Sequence, residues 1–196
     1  MAGPLAAGSG RGMSAGPPPP PPVVGWRGFH RELRRAAMAA TRTGMPLSLL
    51  ILELAGLPQI RASHGAAVAG GLVRALMGLL EAELGAEVAL ARYTEDRLCV
   101  IMPGTERGAA LARAERIGAV LRLTRSLGTG EPALDLLPAI GIAQFADEEA
   151  LGHLIERALE ALRRAKAEGA LAAVAAPARH GRARRALASG IALGGQ

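Results

Sequence analysis

Glu53 sits near the end of an almost unbroken apolar run, LSLLILEL at positions 47–54, and Glu95 and Asp96 lie in a three-residue acidic link, Thr94 to Asp96, between two further apolar segments. Sheets that carry helices on their faces place function at strand ends and tight loops, so these carboxylates are the first candidates for chemistry. Other reactive side chains point elsewhere. His64 and His153 have no partners at metal-ligand spacing, and Cys99 lies within an apolar strand as a core residue. A single cysteine excludes a disulfide framework and a thiolate zinc site and is consistent with a reducing compartment. Lys166 is the sole lysine and falls in the last turn of a predicted helix, where a cation complements the helix dipole. Each candidate also has a purely structural role open to it: Glu53 as a solvated strand-end acid, Asp96 as a hairpin-tip residue that tolerates left-handed torsions.

The elements that must position these residues are legible in the periodicity. A helix is predicted from about Phe29 to Arg42, with Leu33, Ala36, Ala37 and Ala40 on one face and Thr43-Gly44 as its stop. The run 47–54 reads as a central strand covered on both faces. A loop containing Pro58 leads to a long helix, about Ala66 to Leu84, with Leu72, Leu76, Leu79 and Leu80 on one side and Gly85 as its stop. Segments 87–93 and 97–102 read as a hairpin lacking the usual glycine. A helix from about Glu106 to Leu127, a linker with Gly128, Gly130 and Pro132, a strand at 138–145 and a final helix capped by Asp147 and running to Gly169 complete the order. Helix, strand, helix, hairpin, helix, strand, helix contains a ferredoxin-like βαββαβ unit, so the fold class is an α/β sandwich with extra helices around one sheet.

Composition bounds the rest. The 196 residues are 50% apolar but only 2% aromatic, enough for one ordinary core and too poor in rings for a platform that stacks single-stranded nucleic acid. The net charge of +6 is unevenly placed: Arg179, Arg182, Arg184 and Arg185 load the last residues with no acid among them, and the body between the two ends is near neutral. Residues 1–24, Gly/Ala-rich and ending in the run Pro17 to Pro22, are too short and too rich in proline to fold and are expected to be disordered. The proline run is a polyproline II spacer or docking ligand. They contain no apolar stretch of the signal-peptide kind. The longest apolar run, Leu47 to Leu57, is interrupted by Glu53 and falls well short of a membrane span, so a cytoplasmic location is expected.

Four segments, "RTGMPLSLLILEL" (42–54), "ARYTEDRLCVIMPGT" (91–105), "AIGIA" (139–143) and "LIERALEALRRAKAEG" (154–169), occur in the order and roughly the spacing of one family. On these the chain resembles the GGDEF domains of diguanylate cyclases, which condense two GTP molecules into cyclic di-GMP. The resemblance divides the chain into residues 1–24, a GGDEF-like domain at 25–174 and a basic flexible tail at 175–196.

The chemistry that the resemblance implies is attack of a 3′-hydroxyl on an α-phosphate with Mg²⁺ held by carboxylates. Glu53 falls at the family's first metal aspartate, Asp96 at the acidic third residue of the signature, and Lys166 at the lysine that contacts the triphosphate. Other positions depart. Thr94 and Glu95 stand where the signature has two glycines, Arg97 where the fourth residue is acidic, and Leu98 where the fifth is Phe. Arg61 and Gly70 replace the guanine-reading Asn and Asp, Pro58 a lysine near the phosphates, and Ala170 an arginine. Gly85 and Val88 occupy the ends of the missing RxxD product-inhibition motif.

Bulk and negative charge at Thr94 and Glu95 oppose phosphate approach, and the missing recognition groups oppose normal binding of GTP and cyclic di-GMP. The resemblance with these departures implies a degenerate, catalytically inactive homologue serving as a regulatory or protein-interaction module in bacterial cyclic di-GMP signalling. Competent relatives work as dimers, so a homodimer or pairing with another GGDEF protein is implied. The alternative is an active cyclase with a divergent site, Glu53 and Asp96 holding Mg²⁺. From a third class, the arginines between Arg179 and Arg185 could attach nucleic acid, although such a tail is more often a solvated extension.

Overall fold

A computed structural model describes residues 25–85, 89–126, 137–169 and 173–176. The proline-containing N-terminal segment, Val88, the linker glycines, Ala170 and the Arg-rich tail lie outside the described residues. The order is α1 (Trp26–Thr43), β1 (Leu47–Ala55), α2 (Leu57–Leu84), β2 (Ala89–Arg92), β3 (Arg97–Pro103), α3 (Arg107–Ser126), β4 (Leu137–Gln144), α4 (Leu151–Glu168) and β5 (Ala173–Ala175). The five strands form one sheet in the order β2-β3-β1-β4-β5. The first four make the antiparallel ferredoxin-like arrangement, and β5 adds to its edge parallel to β4.

β1 is central because both of its faces are apolar. Leu47, Leu49 and Ile51 pack with Phe29 and Leu33 of α1 and with Leu154, Ala158 and Leu162 of α4. Leu50, Leu52 and Leu54 pack on the other side with Val73, Leu76 and Leu80 of α2 and Ala110, Ala114 and Ile117 of α3. The period of two therefore divides the molecule into two helical layers around one sheet. β4 comes very close to α4 at Gly141, where a Cβ would lie 2.2 Å from the carbonyl oxygen of Ala158, so no larger residue fits. Three of the four aromatic side chains gather at the start of α1. Trp26 stacks on Phe29 at 5.5 Å and meets Tyr93, at the base of the β2–β3 hairpin, edge-on at 4.5 Å.

Several expectations are corrected. The long helix does start at Ala66, after a non-helical Gly65 with φ of 86° and ψ of 165°, but the expected loop before it is itself a short helix from Leu57, with Pro58 in its first turn, where a missing N–H costs nothing; the two are labelled together as α2. α2 is by length and composition apolar enough to cross a membrane. It nevertheless buries Leu57, Ile60, Ala69, Val73, Leu76, Leu80 and Leu84 as part of the domain. Asp147 does not cap the last helix. α4 starts after Ala150 with no side-chain cap, and the Asp147 carboxylate instead accepts the Glu148 N–H at 3.1 Å in the preceding turn. β5 was not anticipated, because three small residues carry no alternation; it extends the sheet to Ala175, and the Ala176 N–H donates to the Ile142 carbonyl at 2.7 Å.

Candidate functional site

Alternation along β1 puts Glu53 on the same face as Leu47, Leu49 and Ile51, the face covered by α4. Its cross-strand partner on β3 is Arg97. The last turn of α4 brings Lys166 to the same place. The Arg97 Nε–H donates to Glu53 Oε2 at 2.7 Å, and Lys166 Nζ donates to Oε1. Both oxygens of a carboxylate that is only 4% exposed are thus held by protein cations. Burial makes this pairing necessary, since an isolated carboxylate there would lose its hydration with nothing to replace it. Arg97 and Lys166 remain partly solvated, with side chains 33% and 44% exposed.

The hairpin tip is held by its own groups. The Tyr93 N–H donates to the Arg97 carbonyl at 2.9 Å, and the Leu54 N–H donates to the Asp96 carbonyl at 2.8 Å, which ties the tip to the end of β1. Thr94 Oγ1 donates to Asp96 Oδ1 at 2.6 Å. Arg92 reaches along the strand to the carbonyls of Thr94 and Glu95. None of Thr94, Glu95 and Asp96 has a positive φ, which corrects the left-handed role expected of Asp96: this turn closes without the torsions that glycines supply. Glu95 extends across to α2 and pairs with Arg61. With Glu95 mostly exposed this pair contributes only about 0–1 kcal/mol, but it places a guanidinium and a carboxylate between α2 and the tip.

Of the residues singled out from sequence, Glu53, Arg97 and Lys166 come together directly, and Thr94, Glu95, Asp96 and Arg61 form a second group beside them. Leu98 points away, 1% exposed, into the layer between the sheet and α2 and α3. Gly70 lies on α2, where a side chain would meet Arg74 Nη1 at 3.4 Å. Pro58 opens α2, and Gly85 follows its end. Cys99 is buried in the core and burial pushes its thiol up to about 12, with Arg97 opposing the shift, so it is not a nucleophile at neutral pH. The joint occupation of Glu53 was missed in the sequence, although both partners were named. The usable signal was the hairpin register, which sets Arg97 opposite Glu53.

These residues do not fit a divalent cation. Mg²⁺ needs free carboxylate oxygens in octahedral array, whereas Glu53 is shared by two cations and Asp96 accepts from Thr94. Among the described residues no group of three or more His, Cys, Asp or Glu side chains converges. The arrangement is a cation–carboxylate–cation cluster with a net positive charge.

The family described as "Diguanylate cyclase, GGDEF domain" matches residues 23–171, and the chain belongs to that family. Its fold is that of solved GGDEF domains. The coiled coil and GGDEF domain of DgcB from Caulobacter crescentus, in complex with c-di-GMP, superposes with a TM-score of 0.70 at 21% identity, covering 79% of this chain and 82% of that one. The active GGEEF domain of a diguanylate cyclase from Vibrio cholerae gives 0.70 at 16% identity, covering 81% and 100%. The diguanylate cyclase SiaD from Pseudomonas aeruginosa, in complex with its activator SiaC, gives 0.70 at 22% identity, covering 79% and 59%. No curated protein matches the chain.

Proposed function

We propose that this GGDEF-family domain is catalytically inactive and acts in the bacterial cytoplasm as a regulatory or protein-interaction module of cyclic di-GMP signalling. The observation that carries the reading is the state of Glu53: Arg97 and Lys166 occupy both oxygens of the carboxylate that would hold the metal. A guanidinium stands where the signature calls for an acid, so bringing Mg²⁺ to Glu53 means displacing one buried ion pair and placing two positive charges against the metal. The tip adds to the obstacle. Thr94 and Glu95 present side chains and a negative charge, and Arg61 is engaged with Glu95.

Homodimerisation or pairing with another GGDEF protein fits that reading, as does a protein partner of the kind SiaD has in its activator. Residues 1–24 and 175–196, flanking a domain at 25–174, would serve as docking or localising segments.

The test is direct. The purified full-length chain, incubated with GTP and Mg²⁺, is expected to yield no cyclic di-GMP by chromatography, and titration calorimetry with GTP and Mg²⁺ is expected to show no metal-dependent binding. Formation of cyclic di-GMP that is lost in Glu53→Gln would establish the alternative, an active cyclase with a divergent site.

A further inference from the structure

α1, which runs from the base of the β2–β3 hairpin, where Trp26 meets Tyr93, to the start of β1, carries a second cluster of charge that the family site does not use. Arg27, Arg31, Arg34, Arg35 and Arg42 recur at intervals that place them on one side of α1, opposite the buried Phe29, Leu33 and Ala37. All five are exposed, and the stripe is about 22 Å long at the helical rise per residue. Among the described residues Glu32 comes to 3.9 Å of the solvated Arg35, a surface pair of little energy.

An apolar element lies within the stripe. Met38, between Arg35 and Arg42, is 68% exposed, the most exposed of the large apolar side chains among the described residues. Beside it opens a cleft of about 560 Å³ between α1 and the start of α4, with Ala37, Met38, Phe145 and Leu151 as its apolar lining and Arg34 and Arg42 at its edge. The acids nearby do not cancel the arginines. Glu149 is consumed by Arg157, whose Nε–H donates to it at 2.8 Å, which leaves the exposed Glu148 as the one acid on the rim. α4 begins at the cleft with no side-chain cap and no acid in its first turn, so its positive end adds to the field.

We propose that this face of α1, with its cleft, docks an acidic amphipathic segment of a partner protein, the partner's carboxylates on Arg34 and Arg42 and an apolar side chain in the cleft beside Met38. Charge complementarity selects an anionic partner, and the recess selects among anions. A nucleic-acid backbone would use the arginines and leave the apolar cleft empty. A helix with carboxylates flanking a leucine or phenylalanine satisfies both features, as apolar anchors in grooves do. The cleft lies at the start of β1, where the Phe145 N–H donates to the Leu47 carbonyl at 2.8 Å, and shares no residue with the Glu53 cluster, so the inference stands whether or not that site turns over GTP.

Fluorescence anisotropy on the full-length chain tests it, with a labelled 20-residue Glu/Leu amphipathic helix as probe. The comparison probes are the same composition with its apolar face scrambled, a 20-base-pair DNA duplex, and vesicles containing phosphatidylserine. Saturable binding is expected, weakened about tenfold by Arg34→Glu with Arg42→Glu and again by Met38→Asp, and unaffected by Arg116→Glu on α3. All substituted residues are exposed, and unchanged circular dichroism confirms folding. Absence of saturable binding to the amphipathic helix overturns the proposal. So does equal loss with Arg116→Glu, or binding of DNA, vesicles or the scrambled peptide as tight as that of the helix.

Discussion

The two ends of the β1 strand use the same residue type in opposite ways. At the Glu53 end, three arginines are spent: Arg97 on Glu53, Arg61 on Glu95, Arg92 on the carbonyls of the tip. At the Leu47 end, Arg34 and Arg42 of α1 face solvent beside the cleft. The difference follows from burial. A carboxylate carried on an inward-facing position of a central strand must be neutralised, and it recruits whatever cations the neighbouring elements bring. Surface positions on α1 impose no such demand. A count of charged residues therefore says little about charge available to a ligand; the end that carries the family's signature has less to offer an incoming cation than its acids suggest.

Removing both cations from Glu53 is the most severe test of this contrast. Arg97→Ala combined with Lys166→Ala leaves a buried carboxylate unpaired and should cost about 3–5 kcal/mol in urea unfolding. A cost under half a kilocalorie would mean that Glu53 is not buried as described. Next, Gly141→Ala forces a methyl into the carbonyl of Ala158 and should destabilise by about 3 kcal/mol, read as a lower denaturation midpoint at unchanged slope. At the open end, Arg34→Ala and Arg42→Ala should each change stability by less than about 0.5 kcal/mol, since neither holds a buried group. Equal effects at the two ends would remove the contrast.

An effect silent at neutral pH concerns Cys99, two residues along β3 from Arg97. Its thiol is pushed up from 9.0 to about 12 by burial, so the folded chain keeps a proton that the unfolded chain releases. That contribution is intact below pH 9.0 and is lost as the pH rises toward 12. Urea midpoints should fall across this alkaline window in the parent chain more steeply than in Cys99→Ala. Thiol labelling of the native protein at pH 8 should be far slower than of the unfolded chain; rapid labelling would place Cys99 at the surface.

Much of the fold was legible because periodicity reports burial. LSLLILEL at 47–54 has apolar side chains on both faces and became the central strand; "AIGIA" became β4, its glycine the contact point with α4. The short helix ahead of Gly65 was not legible, because Pro58 is equally at home in a loop and in the first turn of a helix, whereas the start of the long helix at Ala66 was. β5 was not legible because Ala-Val-Ala has no pattern until β4 offers it an edge. Within the site, the identities of Glu53, Asp96, Arg97 and Lys166 were read directly, while the capture of Glu53 by two of the others was not.

The sequence alone determined the order of elements as far as α4, the two-faced burial of β1 and the membership of the GGDEF family, since each rests on local spacing or on motifs in register. Only the tertiary structure decided which charges cancel. Lys166 is 113 positions from Glu53 and Arg97 is 44 positions from it, and whether two side chains so separated meet depends on strand register and helix packing. Their meeting sets the electrostatics of the site, because attraction between charges acts through space and is strongest where water has been excluded.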